Sequence, residues 1–264
     1  MDINKIVALV TKEVQKKIDA NEIPTTGGIS ASKLAKYIEH SMLNPDITRE
    51  KVIEECKISK EYGFGNICVT PYFVKQAAEI LKTCNVGISA PIGFPHGAAS
   101  MAAKICEIKE CVANGATELD VSLNLVAIKS GEFEEVAREL KLMLDAAGYG
   151  IKFKAIYEQG KLTDEEKVKT LEIIRDSGTP YVKISNALTG KAACIEDVKF
   201  VRGIVGSGVK IKIDGGIKSS AKANEILGSG ADRIGCSASV AIVTGQYKFS
   251  YKTMREKKND SKKR

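Results

Sequence analysis

Short runs in which apolar and polar residues alternate recur along the chain, separated by longer segments whose apolar residues fall at helical spacing. The strand-like runs cover 38–43, 66–70, 86–94, 118–124, 151–158, 181–185, 210–214 and 231–235. Helical segments over 32–37, 48–62, 72–82, 99–114, 133–147, 164–177, 195–205 and 219–227 lie between them. Thr163 and Glu166 form a capping-box pair that marks the start of one of these helices. About eight β/α units with short connections predict a (β/α)8 TIM barrel, with an open doubly wound sheet as the alternative.

The polar members of the strands sharpen this reading. In Tyr181-Val182-Lys183-Ile184-Ser185, period-two alternation puts Tyr181, Lys183 and Ser185 on one face. Runs 118–122, 151–156 and 209–214 place charges at comparable positions. If helices cover the outside of a parallel sheet, those charges face the barrel interior, where an unpaired charge is costly.

Ahead of the barrel, Ile3, Ile6, Val7, Val10, Val14 and Ile18 form the apolar stripe of an extra N-terminal helix. The turn-rich patch Pro24-Thr25-Thr26-Gly27-Gly28 closes it, so 1–28 is read as helix and linker and 29–250 as one barrel domain. Residues 251–264 are read as a solvated, disordered basic tail. The net charge is +7, and the stretch from Met254 onward carries six basic residues against two acidic ones, more than half of the excess. A nucleic-acid or membrane partner is therefore not expected.

The 264 residues suit a single barrel, and no apolar run reaches the roughly 18 residues of a membrane span. Seven cysteines without a C-x-x-C pair suggest reduced thiols and a cytoplasmic protein. With only His40 and His96 available, a histidine-rich metal centre is not expected.

Chemistry in such a barrel sits at the C-terminal ends of the strands. Asp120, Lys154, Lys183 and Lys212 come from four consecutive strands and share the inward face. Burial and neighbouring like charge both favour a neutral amine, so one lysine is expected to have a depressed pKa and to act as a nucleophile. That is the requirement for a Schiff base with a carbonyl compound. Lys152 and Lys210 are read as equally compatible with ion-paired or snorkelling side chains, and Cys68 as a small buried thiol.

From Lys36 to Gly245 the sequence resembles the deoxyribose-phosphate aldolases, class I aldolases built on a TIM barrel. The resemblance rests on Glu39-His40-Ser41-Met42-Leu43, Cys68-Val69-Thr70-Pro71, Ile92-Gly93-Phe94-Pro95 and Asn114-Gly115-Ala116-Thr117-Glu118-Leu119-Asp120. It continues through Leu162-Thr163-Asp164-Glu165-Glu166-Lys167, the Lys183 strand, Lys212 ahead of Gly215-Gly216-Ile217-Lys218, and Arg233-Ile234-Gly235.

It implies reversible cleavage of 2-deoxy-D-ribose 5-phosphate to D-glyceraldehyde 3-phosphate and acetaldehyde, with no metal or organic cofactor. Lys183 would form the Schiff base, Lys212 would perturb its pKa, Asp120 would shuttle protons and Lys154 would be its charge partner. A homodimer or homotetramer is a further implication.

The pattern departs from the family at the substrate end. Gly215, Gly216 and Ser237 match the expected phosphate site, but Ala187 stands in place of a glycine and Ala238 in place of a serine. Asp214 stands where a small residue is expected, positioned to repel a phosphate or to pair with Lys212. Two alternatives follow: an aldolase acting on another aldehyde or sugar, or a barrel retained as a non-catalytic binding protein.

Overall fold

The computed structural model describes residues 29–245. The expected N-terminal helix and the basic tail lie outside the described residues.

Eight parallel strands close into a barrel in which β1 to β8 follow chain order and β8 returns to pair with β1. They are β1 (Ile38–Met42), β2 (Asn66–Val69), β3 (Gly87–Ile92), β4 (Glu118–Ser122), β5 (Lys152–Glu158), β6 (Tyr181–Ser185), β7 (Lys210–Asp214) and β8 (Arg233–Cys236). Closure settles the choice between a barrel and an open sheet.

The outward-facing alternates, among them Ile67, Leu119, Val121, Phe153, Val182, Ile184, Ile211 and Ile234, are fully or almost fully buried under the helices. Each such side chain contributes roughly 1.5–3 kcal/mol relative to exposure. The helices start where the sequence supplies caps: Thr48, Ser100 and Ser219 each accept from a backbone N–H one turn on. Thr163 and Glu166 complete the expected capping box at the helix Asp164–Asp176. Short helices at Leu125–Lys129 and Ser239–Thr244 were not predicted, since five or six residues are too few to display a helical period.

Gly97 shows how tightly the strand-end loops pack. Its φ is +66°, and a Cβ there would lie 2.1 Å from the Leu123 carbonyl oxygen, so the loops after β3 and β4 meet backbone to backbone. All seven cysteines are free thiols. Among the described residues no helix is long and apolar enough to cross a membrane.

Candidate active site

The barrel interior carries a closed network of charges. Alternation turns Glu39, Glu118, Asp120, Lys154, Lys183, Lys212 and Arg233 inward, and register sets Asp120 beside Lys154 and Lys183 beside Lys212. Asp120 is the hub. Its Oδ1 accepts from Lys154 Nζ at 2.9 Å, and its Oδ2 accepts from Lys183 Nζ at 2.7 Å and Lys212 Nζ at 2.6 Å.

Lys154 also meets Glu118 at 2.7 Å, Ser89 at 3.0 Å and Glu39 at 3.3 Å. Lys212 donates to Glu39, and Arg233 donates to Glu118. Glu39, Glu118 and Arg233 were not singled out as charge partners from the sequence, although the same alternation turns them inward.

At the strand ends the network reaches solvent through Asp214. Its side chain is 22% exposed, whereas those of Lys154, Lys212, Asp120 and Glu39 are fully buried and that of Lys183 is 3% exposed. Asp214 Oδ2 lies 2.8 Å from Lys183 Nζ, while Asp214 Oδ1 is 3.7 Å from Lys212. The expected pairing of Asp214 with Lys212 is present at the longer distance, but its closer partner is Lys183, on the neighbouring strand.

The protonation state of Lys183 also differs from expectation. Burial alone would lower its pKa and Lys212 works in the same direction, but Asp120 and Asp214 outweigh both and hold it above the ordinary lysine value. Counting the lysines without Asp214 suggested a depressed value. Lys212 is likewise held well above the usual range, because Asp120, Asp214 and Glu39 overcome its burial. Burial would raise the pKa of Asp120, yet Lys154, Lys183 and Lys212 hold it well below the usual carboxylate range. In the free protein the network is a set of ion pairs, each charge with a partner, as burial requires.

The loops beyond β6, β7 and β8 form the rim beside Asp214. Gly215 and Gly216 follow Asp214 with φ of +116° and +65°. Gly215 packs on the loop after β6, its carbonyl accepting from Ala193 N at 3.0 Å. Ala187 in that loop and Ser237 after β8 are exposed, and Ala238 is half-buried.

Outside this network Lys152, Lys210 and His40 have structural partners. Lys152 pairs with Glu118 at 3.1 Å, and Lys210 lies over the Tyr181 ring at 5.6 Å, both with exposed stems. His40 is bonded at both ring nitrogens, to Ser239 at 2.8 Å and Glu55 at 2.9 Å, and is nearly buried. Burial, Asp120 and Glu39 push the Cys68 thiol up, so it stays protonated. The ligand atoms of Glu39, Cys68 and Asp120 lie within 4.8 Å of one another, but Lys212 is bonded to both carboxylates and a cation would have to displace it.

The chain as a whole is similar to known proteins. The deoxyribose-phosphate aldolase of Brevibacillus brevis is 40% identical over 80% of this chain and 95% of its own length. The chain belongs to the deoxyribose-phosphate aldolase family. A solved structure described as QR15, an aldolase, superposes with a TM-score of 0.77 at 33% identity, covering 80% of this chain and 95% of that one. The deoxyribose-phosphate aldolase of Aeropyrum pernix, described as having a unique tetrameric structure, superposes with a TM-score of 0.75 at 30% identity, over 81% and 91% of the two chains. No protein-family model matches the chain. Membership in this aldolase family makes the inward lysines, with their shared carboxylate, the candidate catalytic apparatus.

Proposed function

We propose that this aldolase-family chain cleaves 2-deoxy-D-ribose 5-phosphate reversibly to D-glyceraldehyde 3-phosphate and acetaldehyde through a Schiff base on Lys183. The observation that carries this reading is the sharing of Asp120 Oδ2 by Lys183 and Lys212. A second fixed ammonium beside the nucleophile favours loss of the Lys183 proton once a carbonyl arrives.

The neutral Lys183 amine attacks the aldehyde carbon, the oxygen departs as water, and an iminium is left. Electrons of the C2–C3 bond flow into the iminium as the C3 hydroxyl gives up its proton, which releases D-glyceraldehyde 3-phosphate and leaves an enamine. The enamine takes a proton at C2, and water hydrolyses the resulting iminium to acetaldehyde and free Lys183. In this scheme Asp120, kept as an anion by its three lysines, holds the water or hydroxyl through which protons are shuttled, Lys212 perturbs Lys183 and Lys154 balances the charge of Asp120. The iminium serves as the electron sink.

Gly215, Gly216, Ser237, Ala238 and Ala187 are proposed to cradle the phosphate with backbone amides. Asp214 adds a negative charge next to that cradle. It favours a second reading, an aldolase on an unphosphorylated aldehyde. The ratio of kcat/KM for deoxyribose 5-phosphate to that for deoxyribose decides between them, and a ratio near unity selects the second.

A cytoplasmic location, supported by the seven free cysteines, and a homodimeric or tetrameric assembly, supported by the tetrameric relative, complete the proposal.

The experiment is reductive trapping. Incubation with acetaldehyde and borohydride should leave an adduct that peptide mass spectrometry places on Lys183 and that Lys183→Ala abolishes. An intact fold with no adduct on Lys183 removes the aldolase reading and brings the binding-protein alternative forward.

A further inference from the structure

Condensing a lysine ammonium with an aldehyde to an iminium consumes no net proton. One proton leaves the nitrogen before attack, and one is needed on the oxygen before it can depart as water. A single carboxylate in contact with Nζ can do both, provided it is free to accept the proton and to move with the oxygen.

Two carboxylates touch Lys183 Nζ, Asp120 at 2.7 Å and Asp214 at 2.8 Å. Asp120 is fully buried and engaged at both oxygens by three ammonium groups. Three positive partners hold it as an anion, a poor place to leave a proton. Asp214 is differently placed. One oxygen meets Lys183, the other has no hydrogen-bond partner, and the side chain is 22% exposed at the mouth of the barrel.

That second oxygen, 3.7 Å from Lys212 Nζ, lies beside Gly235 of β8, where a Cβ would come within 1.9 Å of it, so the glycine leaves the carboxylate its room. The ionisable groups around Asp214 are Lys183 on β6, Lys212 on β7 and Cys236 on β8. Burial pushes the Cys236 thiol up to about 12, with Asp214 adding to the effect, so it does not compete for the proton.

We infer that Asp214 is a catalytic acid–base residue: it takes the proton from Lys183 as the carbonyl approaches and returns it to the departing hydroxyl. The inference rests on the Schiff-base reading of Lys183 and adds a residue to it. Written through, the ammonium and carboxylate become amine and carboxylic acid. The amine adds to the aldehyde, and proton transfer from nitrogen to oxygen gives the carbinolamine. The Asp214 acid then protonates its hydroxyl, water leaves, and the iminium faces a restored carboxylate.

The test is the rate of adduct formation between the full chain and acetaldehyde in the presence of cyanoborohydride, followed by intact-protein mass spectrometry across pH. Asp214→Asn is compared with the parent and with Asp214→Glu. Near pH 7 the Asn variant is expected to form adduct roughly 10²-fold more slowly. Its rate should rise with pH and converge on that of the parent near about pH 10, where solvent can deprotonate a lysine. Asp214→Glu, which keeps the acid, should recover most of the rate.

Loss of the Asp214 charge also lowers the pKa of Lys183, which alone would speed the reaction, and it removes an anion beside the iminium, which would slow it at every pH. A deficit that closes at high pH therefore marks the acid–base role, and one that persists unchanged across pH overturns it. An Asn variant as fast as the parent or faster at neutral pH overturns the proposal and makes Asp214 a restraint on Lys183. If Asp214→Asn does not fold, Asp214→Ser repeats the comparison. A parent that forms no Lys183 adduct at any pH defeats the Schiff-base reading itself, an outcome distinct from either variant result.

Discussion

Lys183 and Lys212 donate to one and the same oxygen, Asp120 Oδ2, at 2.7 and 2.6 Å. Two ammonium groups on adjacent strands are thus held together by a carboxylate with no access to solvent. Their mutual repulsion is stored in the ground state and offset by Asp120, Glu39 and Asp214. A change on the acid side therefore alters the proton affinity of Lys183 as directly as a change on the lysine side.

Asp120→Asn keeps the shape of the hub and removes its charge. Three ammonium groups lose a common partner in a fully buried site, and breaking such an arrangement costs on the order of 3–5 kcal/mol. The melting temperature should fall by about 10 °C. Turnover should fall by at least about 10²-fold. Calorimetry together with a steady-state assay checks both. A variant of unchanged stability would mean that Asp120 is not the electrostatic hub.

Lys212→Met removes the like charge that lowers the Lys183 pKa, while Asp120 and Asp214 continue to raise it. The sign follows directly: Lys183 becomes harder to deprotonate, so the ascending limb of the pH–rate profile moves to higher pH. The rate near pH 7 should drop by roughly tenfold per unit of that displacement. A profile that keeps its midpoint and loses only amplitude would place Lys212 outside the titration of Lys183.

The barrel was legible because each strand announces itself by period-two alternation, and β6 and β7 match their expected bounds at both ends. Alternation also brought Asp120, Lys154, Lys183 and Lys212 to one face. It does not report which inward residue of one strand meets which of another several strands away. Glu39 from β1 contacts Lys212 from β7 across 173 positions of sequence, and without it the lysines looked like a positive cluster around the single carboxylate of Asp120. The depressed Lys183 pKa was expected for that reason. The departures at Asp214, Ala187 and Ala238 were visible in the sequence, but only the geometry gives Asp214 its place against Lys183.

Gly235→Ala tests how Asp214 is seated without touching a charge. The added methyl would meet Asp214 Oδ1 at 1.9 Å, against a side chain able to swing toward solvent, at a glycine whose φ is not in the left-handed region. The fold should survive, with a melting temperature within a few degrees of the parent. Adduct formation on Lys183 should slow in the same direction as in Asp214→Asn, with the parent's rate approached again at high pH. A variant of parental rate at neutral pH would show that the carboxylate need not sit against β8.

A second buried ion pair joins two helices behind the strand-end loops. Lys104 in the helix Met101–Ala113 donates to Glu139 in the helix Phe133–Ala147 at 2.7 Å and to the Gly97 carbonyl at 2.9 Å, and its side chain is fully buried. Glu139 also accepts from Asn124 at 3.4 Å, so the pair ties the loops after β3 and β4 to the outer helical layer. Lys104→Met fills a similar volume but leaves Glu139 charged and without its cation, and it should cost roughly 3–5 kcal/mol in denaturant unfolding. Glu139→Gln leaves the opposite orphan and should cost a comparable amount. In Lys104→Met/Glu139→Gln neither charge remains to be desolvated, so the double variant should be more stable than the sum of the single losses implies, with a coupling of about 1–3 kcal/mol. Strict additivity would mean that the two helices are held by their apolar contacts alone.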